Sequence, residues 1–168
     1  MDNSLEDLIS RLNLEPHPEG GFFRETYRSE GEIPQESLAD SYSGNRNYST
    51  CIYFLLTSDN FSAFHKINQD EIWHFYDGTH LRLHIISNNG AYSSHLIGID
   101  MRNGQTPQFV VKGGSWFAAE VENENSHSLI GCTVSPGFSF EDFKLASRNE
   151  LLNTFPEYKE VILRLTRE

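Results

Sequence analysis

The sequence predicts an all-β fold, a sandwich or barrel, with short helices at both ends. From Tyr48 onward, short apolar or alternating runs recur: YSTCIYFLLT, FSAFHKI, EIWHFYDG, HLRLHII, AYSSHLIGI, QFVVK, SWFAAEV and HSLIGCTVS. Each is bounded by Gly, Asn, Asp or Ser, and closely spaced strands separated by turn residues fit a sandwich or barrel, not βαβ units. Aromatic residues form 12% of the chain, with 12 Phe, a bias that suits half-buried pleated surface. At 168 residues the chain can bury one sizeable core and is short for two, so one domain spanning 1–168 is expected, its barrel over about 20–146.

The elements follow in order. Leu5, Leu8, Ile9 and Leu12 recur at helical spacing, giving a first helix with one apolar stripe, capped by Asn3 or Ser4. Pro16 and Pro18 stop it, and Gly20-Gly21 makes a turn. Phe22 to Arg28 then reads as a strand. Arg24, Thr26 and Arg28 alternate there with Phe23, Glu25 and Tyr27, and Phe22 falls on the arginine side. The alternation therefore leaves the buried face of this strand open. The segment from about Gly31 to Asn47 is polar and irregular, either a surface loop or a strand-edge excursion. Beyond the strands, RNELLNTF and a segment opened by Pro156 read as helices, the second with a stripe of Val161, Ile162 and Leu165.

The bulk chemistry excludes several classes of function. A net charge of −11 argues against a nucleic-acid binder, which needs basic patches. No stretch approaches a membrane span, and the acidic opening MDNSLEDLISRL lacks the features of a signal peptide, so a cytoplasmic protein without a membrane partner is expected. Cys51 and Cys132 sit in apolar runs and read as reduced, buried thiols. There is no Gly-x-Ser-x-Gly elbow and no recognisable cysteine nucleophile, so covalent hydrolase chemistry has no support.

Two segments carry a family resemblance. His65, Glu71 and Gly78 lie at the spacing of a His-x-His…Glu…Gly motif, with Ile67 where the second His belongs. Further on, Val111-Lys112-Gly113-Gly114-Ser115-Trp116-Phe117 matches a Pro-x-Gly-x-x-His motif, with Gly114 kept, Lys112 for Pro and Phe117 for His. Together, in order and on expected strands, these resemble the two motifs of the cupin superfamily. The opening His17-Pro18-Glu19-Gly20-Gly21, the strand Arg24 to Arg28, the run Asp70 to His74 and Thr133 to Phe138 are similar to an uncharacterised cupin-like subfamily. The resemblance implies a cupin double-stranded β-helix, or jelly-roll, barrel.

It also implies where a site would lie. Metal-binding cupins use three His and one Glu, but only His65 and Glu71 survive here, because Ile67 and Phe117 cannot ligate. Strand periodicity puts Glu71, Trp73 and Phe75 on one face and His74 on the other, so His74 completes a metal site only across a bulge. The expectation is a metal-free pocket without cofactor; the alternative is a divalent transition metal on His65, Glu71 and His74. By analogy with sugar-nucleotide epimerases of this fold, His65 and Glu71 could form an acid–base pair; equally, they could simply hydrogen-bond each other. Trp73 and Phe117 share the inner face and either stack a ligand or fill the barrel. Arg24 and Tyr27 are candidate ligand contacts at the mouth, and Trp116 is expected to pack under a helix or at a subunit contact. His80, Arg82 and His84 share one face, read as polar and outward.

The resulting reading is a small-molecule-binding cupin holding an organic ligand, sugar- or nucleotide-like, through His65, Glu71, Trp73, Phe117, Arg24 and Tyr27. Its first alternative is an isomerase or epimerase acting on a sugar or nucleotide-sugar; its second is a metal-dependent cupin enzyme. A homodimer joined through strand edges is expected for the fold.

Overall fold

The computed structural model describes residues 3–168, with side chains from Leu5 onward. Helix α1 spans Asn3–Leu12, so the capping side chains expected at Asn3 and Ser4 lie outside those described. The first strands are β1 (Glu15–Pro16), β2 (Phe22–Arg28), β3 (Glu32–Ile33), β4 (Arg46–Asn47) and β5 (Thr50–Thr57). Then come β6 (Phe61–Lys66), β7 (Asp70–Gly78), β8 (Leu81–Ile86), β9 (Tyr92–Ile97) and β10 (Gln105–Thr106). The series ends with β11 (Gln108–Val111), β12 (Trp116–Glu120), β13 (His127–Ser135) and β14 (Lys144–Leu145), followed by α2 (Arg148–Thr154) and α3 (Lys159–Arg164).

Two six-stranded sheets face each other, in the orders β1-β2-β5-β13-β7-β11 and β10-β9-β8-β12-β6-β14, while β3 and β4 form a separate ribbon. All pairings are antiparallel except β9 with β10. The period-2 alternation read from the sequence sorts residues between the sheets and their outer faces. Phe54, Leu56, Trp73, Leu81, Leu83, Ile85, Phe117 and Ile130 point inward and form the inter-sheet core. Their neighbours point outward: Leu55 and Leu129 pack under the α1 stripe, and Phe64, Ile86, Trp116 and Ala118 pack under α2 and α3. Trp116 is thus covered by helices, as expected. Burying a large side chain of this kind contributes roughly 1.5–3 kcal/mol, so the two helical covers are part of the core and not appendages.

Three sequence expectations need correction here. The irregular stretch before β5 is not a free loop, because β3, β4 and a 3-10 turn at Gln35–Ser37 organise it across one end of the barrel. His84 is not on a solvated face; it is 1% exposed beneath Tyr92. The thiols differ: Cys132 is buried, whereas Cys51 is only partly covered and approaches the Thr133 hydroxyl at 3.5 Å. No helix among the described residues is long and apolar enough to cross a membrane.

Candidate functional site

The barrel is filled at one end and open at the other. Leu81, Leu83, Ile97 and Phe117 occupy the filled part, and beyond Phe117 lies a cavity of about 430 Å³. Its floor carries His17, Glu19, His65, Glu71, Trp73 and Cys132. Its walls include Phe23, Ile52, Phe54 and Ile67, and its mouth is framed by Glu25, Arg28, Asn45 to Asn47 and the segment Phe138 to Phe143. A concave, mostly apolar chamber of this size with a few convergent polar groups has the form of a small-molecule site.

The floor is built by the His17-Pro18-Glu19-Gly20-Gly21 turn. A side chain on Gly20, at φ 117°, would meet the Phe61 carbonyl oxygen at 2.1 Å, so only glycine lets the turn lie against β6. Backbone bonds hold it there: Ala63 N–H donates to the Glu19 carbonyl at 2.9 Å, and Arg167 donates to the same oxygen at 3.1 Å. The Glu19 side chain is thereby delivered into the barrel. Its Oε1 accepts from the Ser62 hydroxyl at 2.7 Å, and its Oε2 stands 3.0 Å from His65 Nε2 and 3.5 Å from His17 Nδ1.

The protonation of this group follows from its neighbours. His65 Nδ1 lies 2.8 Å from the Ala63 carbonyl, which can only accept, so Nδ1 carries hydrogen. The single proton between Nε2 and Glu19 then belongs either to imidazolium or to a carboxylic acid. Burial decides it. The Glu19 carboxyl is pushed well above its usual range by desolvation, only partly offset by Ser62, and the Glu71 charge pushes it further. Desolvation likewise drives His65 down to about 3, despite the Ala63 bond. Both directions agree on a neutral imidazole facing a neutral carboxylic acid. His17 is also neutral, lowered by burial to about 4, and its Nδ1 accepts from the Glu19 N–H at 3.3 Å.

Glu71 differs from Glu19 in having no ion-pair partner among the described residues; only the Cys132 thiol and the Trp73 indole approach its carboxyl. It is 8% exposed, and burial raises it to about 7, tempered by the Cys132 thiol and the Trp73 indole nearby. Trp73 is 1% exposed, and its Nε1–H finds no acceptor. The floor of the chamber therefore holds a buried carboxyl that no cation neutralises beside an indole N–H short of an acceptor, a costly arrangement in a buried site.

The arginines at the mouth are both paired with carboxylates. Arg28 grips Glu25 with two bonds, 2.9 and 2.7 Å, and gives its remaining hydrogens to Asn47 and the Phe138 carbonyl. Arg46, 4% exposed, grips Asp142 at 2.7 and 2.8 Å and reaches Glu141 at 3.2 Å. Gln69 and Asn68 also donate to Asp142, so this buried pair ties β4, the β6–β7 turn and the Phe138–Phe143 segment together. Aromatic rings complete the mouth: His17 stacks on Phe140 at 6.2 Å and meets Phe23, Phe54 and Phe143 edge-on.

The residues expected from sequence divide accordingly. His65, Glu71 and Trp73 line the cavity. Phe117 does not; it packs behind His65 at 4.1 Å and fills the barrel. His65 pairs with Glu19 and not with Glu71. Arg24 and Tyr27 are also outside. A bulge between Glu25 and Tyr27 inserts Thr26 as an extra residue, so Arg28 turns inward in place of Tyr27, which is 54% exposed. Arg24 instead donates to the Leu12 carbonyl at the end of α1. His74 faces away, bonding Thr133 and Gln108.

The donor set does not fit the metal centre of the fold family. Ile67 and Phe117 offer no donor, His74 is on the other face, and the Nε2 lone pair of His65 is directed at Glu19. His17 and Glu19 were missed as site residues. Their signal was the His-Pro-Glu-Gly-Gly string, in which two polar side chains flank a proline and two glycines set up a tight approach.

Comparisons with known proteins agree with this architecture. A family model described as "Cupin superfamily (DUF985)" matches residues 6–146. Uncharacterized protein YML079W of Saccharomyces cerevisiae is 38% identical over 149 residues, covering 83% of this chain and 74% of that protein. A hypothetical protein from Leishmania major superposes with a TM-score of 0.89 at 32% identity, covering 97% of this chain and 98% of that one. Protein SO0799 from Shewanella oneidensis gives 0.85 at 40% identity, with 99% of both chains covered. Oxalate decarboxylase from Bacillus subtilis shares the fold at a TM-score of 0.53 and 15% identity, over 94% of this chain and 37% of that one.

Proposed function

The chain belongs to the DUF985 group of the cupin superfamily, and on that premise we propose that it binds a small organic molecule inside the barrel, without a resident metal. The observation that carries this reading is the open chamber of about 430 Å³ whose floor holds a Glu71 carboxyl without an ion-pair partner and a Trp73 indole N–H without an acceptor of good geometry. A barrel serving only as a scaffold would gain by filling that space with side chains, as it does around Phe117. A ligand offering an acceptor to Trp73 Nε1 and a donor to Glu71 would satisfy both.

Glu71 also favours a second reading, an isomerase- or epimerase-like activity. Its carboxyl, held at about 7, can take up or release a proton near neutrality, which general acid–base catalysis requires. His65 then acts differently from the simple base the sequence suggested. Both its nitrogens are engaged, so it anchors Glu19 and shapes the floor, while Glu71 is the group free to exchange a proton with substrate.

The test uses the indole signal of Trp73, one of two Trp in the chain, in ¹H–¹⁵N spectra. A panel of free sugars, nucleosides and small aromatic amines, alcohols and acids is expected to contain compounds that move this signal. Replacement of Ile52 by Trp, narrowing the chamber, should abolish the response. A Trp73 signal indifferent to the whole panel would refute ligand binding in the barrel.

A further inference from the structure

The charges around the chamber are unevenly spent. Each guanidinium at its mouth is already paired with carboxylate, Arg28 with Glu25, beside Asn47 and the Phe138 carbonyl, and Arg46 with Asp142 and Glu141, beside the Asn45 carbonyl. No lysine lines the chamber. His17 and His65 are held neutral by their burial. A phosphate or carboxylate entering the barrel would therefore lose its hydration and meet no free cation in return. On the other side of the ledger, Glu71 is a buried carboxyl without an ionic partner, and Glu19 stands behind it.

The walls repeat this bias. His17, Phe23, Phe54, Trp73 and Phe143 surround the space, with Phe54 and Trp73 ring centres 6.3 Å apart and His17 and Phe143 6.1 Å apart. Aromatic faces carry negative quadrupole charge and attract cations within about 6 Å, the more so where water is excluded. An apolar chamber walled by rings, with one unspent carboxyl at its floor, complements a positive group carried on a hydrophobic body.

Building on the reading of the barrel as a ligand site, we propose that its ligand is a small organic cation, an amine or protonated heterocycle, whose charged nitrogen pairs with Glu71 while its apolar part lies among Phe54, Trp73 and Phe143. Nucleotide-sugars and other phosphate esters are then outside its range. Burial raises Glu71 to about 7, and a cation seated beside it would favour its charged form.

Three probes of nearly equal size isolate the charge: benzylamine, benzyl alcohol and benzoate, titrated at pH 8 into the full chain with the Trp73 indole signal as readout. Benzylamine is expected to bind at least tenfold more tightly than benzyl alcohol, with benzoate weakest. Glu71→Gln should remove that tenfold preference, bringing benzylamine binding down to the level of benzyl alcohol in the same variant. Benzoate binding as well as benzylamine, or a preference that survives Glu71→Gln, overturns the cation assignment but leaves the barrel a ligand site. Failure of all three probes to move the signal overturns the cation assignment; only silence across the wider panel as well removes the site itself.

Discussion

Two histidine–glutamate pairs among the described residues, each on a buried histidine, have nearly the same geometry. His65 Nε2 stands 3.0 Å from Glu19, and His84 Nε2 stands 3.1 Å from Glu120. The histidines are 3% and 1% exposed. Their carboxyls nevertheless move in opposite directions. Glu120 is held below the usual carboxylate range, first by the hydrogen bond from His84 and further by Arg164, which donates to it at 2.8 Å. Glu19 is pushed well above that range, because it is more deeply buried and Arg167 contributes only a weak opposing charge. The outer pair is also closed, since the Tyr92 hydroxyl lies 2.8 Å from His84 Nδ1 and completes its bonding. The inner pair borders empty space with Glu71 beside it. Distance between partners thus says little about charge; the supply of cations and water around them decides it.

The largest expected difference concerns Glu71. Its folded pKa, about 7, lies above the ordinary 4.5, so its stabilising contribution is complete below pH 4.5 and lost as pH rises through 7. Glu71→Gln should therefore match the wild type in urea denaturation at pH 4.5 and exceed it at pH 8 by on the order of 3 kcal/mol. Equal stabilities at pH 8 would break the inner half of the comparison. His17 works with the opposite sign: lowered from 6.5 to about 4, it costs stability as pH falls through that interval. Next in size, His84→Ala should cost about 2 kcal/mol by opening the outer cluster, with the Trp73 indole signal unchanged. Glu19→Gln should cost less than about 1 kcal/mol at pH 7, because an amide N–H can donate to His65 Nε2 as the carboxylic acid does. Arg164→Ala, at an exposed guanidinium, should be smallest, about 0.5 kcal/mol, because His84 still holds Glu120.

Much of the fold was legible because it rests on period. The alternation in β5, β7, β8 and β12 sorts inner from outer residues, and the helical stripes of α1 and α3 fall where they were expected. His65 and Glu71 followed from the resemblance to the cupin motifs, and Trp73 from sharing the face of Glu71 on its strand. What failed was whatever breaks period. A single extra residue at Thr26 exchanges Tyr27 for Arg28 at the mouth, and alternation carries no mark of it. Phe117 is inward as predicted, yet whether an inward aromatic lines a space or fills it depends on how neighbouring strands approach. His17 and Glu19 reach the site on a turn, Arg46 on a two-residue strand and Phe140 on a 3-10 turn, where no periodic pattern exists to place a side chain. His84 read as a surface residue because its cover arrives from α3 and Tyr92, remote in sequence or on another strand.

At the floor of the chamber the His65–Glu19 pair is uncharged, a neutral imidazole hydrogen-bonded to a protonated carboxyl. Long-range ¹H–¹⁵N spectra of the imidazole rings, with His65 assigned by its loss in His65→Asn, test this directly. The expected result is a neutral ring protonated at Nδ1 that does not titrate between pH 5 and 8. A His65 ring carrying hydrogen on both nitrogens at pH 7 would contradict it.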